Sequence, residues 1–296
     1  FNIHEDAKKY EEYVIGLRQE FHRHPELSDQ EVWTSGRICE ELDKMGIPYT
    51  RVAGTNVVGL IDTGRPGKTI AFRGDIDALP VHEEANVPFK SEIDGLMHAC
   101  GHDGHMAALL GFARWCCAHR EALRVNAVFL FQPAEESVGG AQRMIAAGAL
   151  KDPDVDEIYG FHILPDLPRG RIGLAAGPVM AQTVEMNLVI EGKSAHGAMP
   201  HRGVDAVVAA AQLVNELQTV VTRYVDPYQP ALITVGRLEV FPGATNVVPE
   251  KVRLSLEIRA REDWMVDKAY ERLMEQCGED VSSFRLLWQE EAHPMD

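Results

Sequence analysis

The sequence predicts an α/β protein: a mainly parallel sheet with helices on both faces, followed by a smaller unit of β-α-β-β-α-β order. Three observations predict it. Apolar strand runs and helical patterns alternate through roughly the first 160 residues, as in a sheet covered on both sides. Val125 to Phe131 is an unbroken apolar run, the mark of a strand buried on both faces of a parallel sheet. After Ala175-Ala176-Gly177-Pro178 the pattern changes to strands paired around helices, which places a boundary between a first domain, 1–178, and a second, 179–289.

Taken in order, the first elements are a helix over 6–23, a turn at His24-Pro25-Glu26, a helix over 29–45 and a strand over 57–62. Gly64-Arg65-Pro66-Gly67 is a turn signal, and Thr69 to Asp75 is a strand running into Gly74-Asp75-Ile76-Asp77. A loop then leads to His98-Ala99-Cys100-Gly101-His102-Asp103-Gly104-His105 and an apolar helix reaching about residue 119. The buried strand that follows ends abruptly at Gln132-Pro133-Ala134-Glu135-Glu136, before a helix over 139–147 and a strand from Glu157 to His162. Every polar cluster falls at the C-terminal end of a strand, where open α/β sheets place their ligands. The second domain reads as strand 183–191, helix 204–222, strands 231–239 and 250–260, helix 263–277 and strand 283–289. That is the ferredoxin-like order, a plait of four antiparallel strands and two helices.

Composition narrows the partners. With 296 residues, 45% hydrophobic and 25% charged, the chain can build one large core or two smaller ones. A formal charge of −16 argues against nucleic acid or an anionic membrane as partner, since both attract basic surfaces. An anionic small substrate stays open, because a local metal or Arg overrides the global field. No stretch approaches the roughly 18 apolar residues of a membrane helix. The N-terminal FNIHEDAKKYEEYV lacks the apolar core of a signal peptide. Five scattered cysteines make a poor disulfide framework and suit a reducing cytosol, so a cytoplasmic location is expected. Cys39, Cys116, Cys117 and Cys277 read as core packing; Cys100 does not. The chain starts with Phe and stops at AHPMD without a closing element, so it reads as clipped at one or both ends.

Cys100 and His102 are two apart, so in extended backbone both side chains would project to one side, and thiolate with imidazole is a good donor set for zinc and similar ions. Alone, the pair reads equally as a buried Cys beside a helix-capping His. The neighbouring imidazoles of His98 and His105 and the clusters at the other strand ends tip the balance. Glu135 and Glu136 follow a strand too apolar for charge, and in extended backbone they would point opposite ways, one to a metal and one to the substrate as a base. Alone, they read better as acids capping the helix at 139–147. Asp75 and Asp77 share a face at a strand end, as ligands or as carboxylates steadying an imidazole, and His162 offers one more imidazole. In the second domain, His196 lies in Gly192-Lys193-Ser194-Ala195-His196-Gly197, which without context is a solvated turn. Asn246 is a turn residue or a donor to substrate, and Arg259 a surface charge or a carboxylate clamp.

At these residues the sequence resembles the metal-dependent aminoacylase and carboxypeptidase group of amidohydrolases. It is most similar to the branch of hippurate hydrolase, auxin-conjugate hydrolases and N-acetyldiaminopimelate deacetylase. The matching segments are RQEFHRHPELSDQE, FRGDIDALP, MHACGHDGHMAALLG, FLFQPAEES with VGGAQRMI, GFHILPDLPRGRIG, GPVMAQTVEM, GKSAHGAMPH, LQTVVTRYVDP and ATNVVP, in the family's order over nearly the whole chain. The resemblance implies a zinc-peptidase-like three-layer catalytic domain and a lid and dimerisation domain. It implies a two-metal site held by Cys100, His102, Glu136 and His162, with Glu135 as general base and Asp77 as the supporting acid. The ions would be zinc or manganese, with nickel and cobalt also open. It implies a homodimer in which His196 reaches a neighbouring subunit's site to stabilise the oxyanion, while Asn246 and Arg259 hold the substrate, an N-acyl amino acid cleaved to carboxylic acid and free amino acid. Dipeptidase or carboxypeptidase activity on the same fold is the alternative within enzymes. Two departures stand out. The family runs on beyond this point and supplies one more ligand His, which His293 does not match, so a non-catalytic scaffold is the alternative outside enzymes. The loop Ser194-Ala195-His196-Gly197 replaces Gly-Gly-His-Ala, a change that bears on substrate choice.

Overall fold

The computed structural model describes residues 3–137, 139–177, 181–260, 264, 267–268, 271 and 284–291. The chain divides into two compact units, Phe1–Pro168 and Arg169–Asp296.

The first unit opens with α1 (Ile3–Ala7), a 3-10 turn, and α2 (Glu11–Arg23), where the sequence predicts one continuous helix over 6–23. α2 buries Leu17 and Phe21 on one face. α3 (Val32–Met45) stops at Gly46, whose φ of 68° is the left-handed cap that glycine favours. Then come β1 (Tyr49–Thr50), β2 (Val57–Ile61), β3 (Thr69–Asp75), α4 (His102–Ala118), β4 (Asn126–Gln132), α5 (Gly140–Ala146) and β5 (Glu157–Gly160). The strand order is β1-β2-β4-β3-β5. The sheet is mixed: β4, β3 and β5 run parallel, as expected, while β2 is antiparallel to β4 and to β1. Every residue of β4 after Asn126 is buried. Period two divides its side chains between faces. Phe129 and Phe131 pack with Phe21, Ile38, Leu42, Met106 and Leu110 from α2, α3 and α4. Val128 and Leu130 pack with Met144 of α5 and Ala149 on the other face. The result is helices, sheet and helix in three layers.

The second unit contains β6 (Gln182–Glu191), β7 (Ala195–His196), α6 (Ala206–Tyr224), β8 (Ala231–Phe241), β9 (Val247–Val248), β10 (Lys251–Ala260) and β11 (Phe284–Glu291). Four strands form an antiparallel sheet in the order β11-β6-β10-β8, and β7 pairs with β9. α6 packs Ala210, Leu213, Leu217 and Val220 on Val184, Met186, Leu188, Leu254 and Leu256. The helix expected over 263–277 lies largely outside the described residues, as do Cys277 and His293. Among the described residues, no helix is long and apolar enough to cross a membrane.

Candidate metal centre

Parallel pairing sends the C-terminal ends of β3, β4 and β5 to one edge of the sheet. There β3 continues into Ile76-Asp77, β4 into Pro133–Glu136 and β5 into Phe161-His162, while α4 starts at His102. The local geometry is not the extended backbone the sequence suggests. Gly101, between Cys100 and His102, has φ 91°, so a tight turn rather than strand alternation brings thiol and imidazole together. Ala134 has φ 51°, so the chain also turns just before Glu135 and Glu136. Neither glutamate caps α5, whose N-cap is Gly139. His162 lies two residues beyond the end of β5.

His102 is the hub. It is fully buried, and its Nδ1 is 2.8 Å from the Asp77 carbonyl oxygen and 3.3 Å from Asp77 Oδ1. A ring nitrogen facing a carbonyl must carry a proton, so Nδ1–H donates and Nε2 is the atom left to hold a second proton or a cation. That Nε2 has no hydrogen-bond partner, yet it lies 3.6 Å from Asp75 Oδ2, 3.7 Å from Glu135 Oε2 and 3.7 Å from Glu136 Oε1. Glu136 Oε1 and Asp77 Oδ1 are buried without a partner as well. A ring nitrogen facing three carboxylates out of water calls for positive charge at that place, a proton on Nε2 or a divalent cation among the oxygens. Donor atoms within 4.8 Å of one another form the groups Cys100–His102–His162 and His102–Glu135–Glu136. His162 turns its Nδ1 to the Ile163 carbonyl at 2.7 Å, which leaves Nε2 facing Cys100 Sγ at 3.4 Å. The structure therefore collects Cys100 and His162 on one hand, and Glu135 and Glu136 on the other, around the shared His102, with Asp77 behind it.

A third group, Asp75–His102–His105, is equally compact but already engaged. Asp75 Oδ1 is 2.6 Å from His105 Nδ1, and Asp75 Oδ2 accepts from Arg73 at 2.7 Å. His105 Nε2 accepts the Ile163 backbone N–H at 3.0 Å. Both His105 nitrogens are thus used, and the ring ties α4 to the segment carrying His162. The sequence shows these residues but not this partnership, whose one signal is the Asp75, Asp77 spacing. His98 is buried with neither ring nitrogen bonded, and burial lowers its pKa to about 4.

Charge in the site is tuned by burial and crowding. Burial by itself would keep His102 neutral, but Asp77, Asp75 and Glu135 outweigh it and raise its pKa to about 9. Burial, then the Glu136 carboxylate, pushes the Cys100 thiol up to about 12. Burial and the charge of Asp75 raise Glu135, the direction that suits a proton acceptor. Asp75 and Asp77 go the other way: burial opposes ionisation, but hydrogen bonds and cationic neighbours prevail and lower both. The donors around the buried His102 fit a divalent cation, which would neutralise the carboxylates near its Nε2 and take Cys100 as thiolate.

In the second unit, β7 pairs His196 with Val247, and Gly197 N–H donates to the Asn246 carbonyl at 2.8 Å. A Cβ at Gly197 would lie 2.9 Å from that oxygen, so glycine permits the approach. His196 and Asn246 are therefore neighbours, both exposed. Arg259 is not among them. It lies eight residues along β10 from Lys251, about 27 Å at 3.4 Å per residue, and its guanidinium is bonded to Glu257.

Residues 71–281 match the family described as Peptidase family M20/M25/M40. Thermostable carboxypeptidase 2 of Saccharolobus solfataricus is 36% identical over 98% of this chain and 75% of its own length. An N-acyl-L-amino acid amidohydrolase of Geobacillus stearothermophilus is 42% identical over 83% of this chain, which spans 66% of that relative. The crystal structure of a dinuclear metal-binding peptidase of the M20 family from Bacillus subtilis superposes with a TM-score of 0.76 at 33% identity, over 94% of this chain and 74% of that one. Motif order, the three-layer fold and the cluster of thiol, imidazole and carboxylate groups agree with these matches, and the chain belongs to peptidase family M20/M25/M40.

Proposed function

We propose that this chain is a metal-dependent amidohydrolase whose first unit holds two divalent ions through Cys100, His102, Glu136 and His162, and which cleaves the amide bond of N-acyl amino acids. The observation that carries the reading is the unpartnered Nε2 of His102, buried and facing Asp75, Glu135 and Glu136. The thiol and imidazoles favour zinc, and the carboxylates also admit manganese. Bound ions of this kind acidify water and polarise a carbonyl oxygen.

The chain's own residues supply the rest. Glu135 accepts the proton of the attacking water as the oxygen bonds to the acyl carbon, and returns it to the amine nitrogen as the C–N bond breaks. Its carboxylate is 35% exposed against 20% for Glu136, which leaves it free to meet substrate. Asp77 steadies the site by accepting the Glu136 N–H at 2.9 Å and lying behind His102. His196 and Asn246 would contact the tetrahedral oxyanion and the substrate, His196 across a homodimer; Arg259, at the other end of β10 and bonded to Glu257, would not reach the same substrate group as that pair. The amidohydrolase relative supports the N-acyl amino acid as substrate; the carboxypeptidase relative favours peptide C-termini as the second reading.

Glu135→Gln is the test. Metal content should be unchanged while turnover of N-acetyl amino acids falls by about 10²–10⁴-fold. Near-normal turnover would sink the base assignment, and faster cleavage of dipeptides than of N-acetyl amino acids would select the second reading.

A further inference from the structure

Two backbone amides flank Glu135, those of Ala134 and Glu136, and each donates to a buried carboxylate. The Glu136 N–H donates to Asp77 Oδ2, and the Ala134 N–H to Glu31 Oε1, both at 2.9 Å. Glu31 precedes α3 and is fully buried; its second oxygen accepts the Thr55 hydroxyl at 2.6 Å. A carboxyl group with no exposure is costly unless its bonds compensate.

The amide it holds belongs to a residue in an unfavourable conformation. Ala134 is a buried, non-glycine residue at φ 51°, where a Cβ crowds its own backbone. Such a conformation persists when its surroundings impose it. Here they do so from two sides. A Cβ on Gly140 would lie 1.9 Å from the Pro133 carbonyl oxygen, so the turn rests on the bare start of α5. Residues 28–31 pass beneath it as a strap: the Ser28 hydroxyl donates to Asp77 Oδ2 at 2.7 Å, Asp29 takes the Arg143 guanidinium of α5, and Glu31 takes Ala134.

We infer that Glu31 is a positioning residue for the metal centre: its carboxylate holds Ala134 in the left-handed conformation and so aims Glu135 and Glu136. The inference rests on the proposed reading of Glu136 as a ligand, and the test separates the two. Amide hydrogen exchange over residues 132–137 reports the turn, and zinc affinity by chelator competition reports the site. Glu31→Ala should speed exchange there by about tenfold or more and weaken zinc binding by a similar factor. Glu31→Gln, which keeps an acceptor oxygen, should stay within about threefold of the parent. Ala134→Gly added to Glu31→Ala should recover most of both losses, since glycine adopts φ 51° unaided. A residue that merely stabilises the fold would show no such rescue. Glu31→Met fills the same space without an acceptor and replaces the alanine variant if that does not fold.

Unchanged exchange in Glu31→Ala, or losses that Ala134→Gly leaves untouched, would overturn the inference. So would zinc affinity that falls in Glu136→Gln but not in Glu31→Ala. Faster exchange with zinc affinity unchanged in both Glu31→Ala and Glu136→Gln would instead strike the ligand reading and support the anchoring of the turn.

Discussion

Glu41, on α3, shows how a single buried carboxylate can govern behaviour far from the site. It accepts from Tyr13 at 2.6 Å, Arg37 at 2.6 Å and Lys44 at 2.8 Å, and Tyr13 brings α2 into the cluster. Burial alone would raise its pKa; the bonds from Lys44, Tyr13 and Arg37 outweigh burial and hold it at about 2. A carboxylate lowered in the folded state stabilises fully above its unfolded value of 4.5, and that contribution drains away as pH falls toward about 2. Glu41→Gln should therefore lower stability at pH 7 by about 1–3 kcal/mol, and urea melts of parent and variant should converge only below about pH 2. A gap that persists there would show that packing, not charge, carries the effect. The same scale explains what the sequence could and could not reveal of the site. Cys100, His102, Glu135, Glu136 and His162 are legible because reactive side chains interrupt apolar strand ends. Their arrangement is not, because it depends on backbone reversals at Gly101, where glycine permits a turn without requiring one, and at Ala134, where neither periodicity nor residue type announces it. Glu31 and His105 escape for a different reason: their partners, Ala134 and Asp75, are distant in sequence.

At the scale of elements, strands and helices with a strong apolar period emerge close to where the sequence puts them. β3, β4, β6, β8 and β10 begin and end within about two residues of expectation, since each carries its signal in its own side chains. Strand direction does not, and the antiparallel β2–β4 pairing is set by long-range topology. β1, two residues long, is too short to have a period at all. Caps are local and so give sharp predictions. Asp205 accepts from the N–H groups of Val207 at 2.9 Å and Val208 at 3.2 Å at the start of α6. Asp205→Ala should cost about 1–2 kcal/mol of stability, measured by chemical denaturation followed through the second unit, and should leave zinc affinity unchanged. At α5 the constraint is steric. Gly140→Ala would force a Cβ into the Pro133 and Ala134 carbonyl oxygens. The turn before Glu135 must then move, so zinc affinity should fall together with stability. A Gly140→Ala protein with unaltered metal binding would show that the turn is free to slide along α5 without disturbing the donors.

For the whole molecule, the decisive property is that each unit carries its own core. One cluster joins α6 to β6, β8 and β10; two others line the faces of the first sheet. All the proposed metal donors belong to the first unit. A ligand that binds only the folded form stabilises what it binds by RT ln(1 + [L]/Kd), about 2.7 kcal/mol when the free ion is at a hundred times Kd. Zinc should therefore raise the melting transition of residues 1–168 and leave that of residues 169–296 where it was. Calorimetry with and without chelator would resolve the two transitions, and hydrogen exchange on peptides from β4 and from β10 would assign them. Cys100→Ala should abolish the zinc-dependent shift without altering the second transition, because its thiol belongs to the first unit alone. If zinc instead moved a single transition for the entire chain, the units would unfold as one body. The stability of β10 would then depend on donors about ninety residues or more away in sequence, and the metal centre would be the keystone of both folds rather than of one.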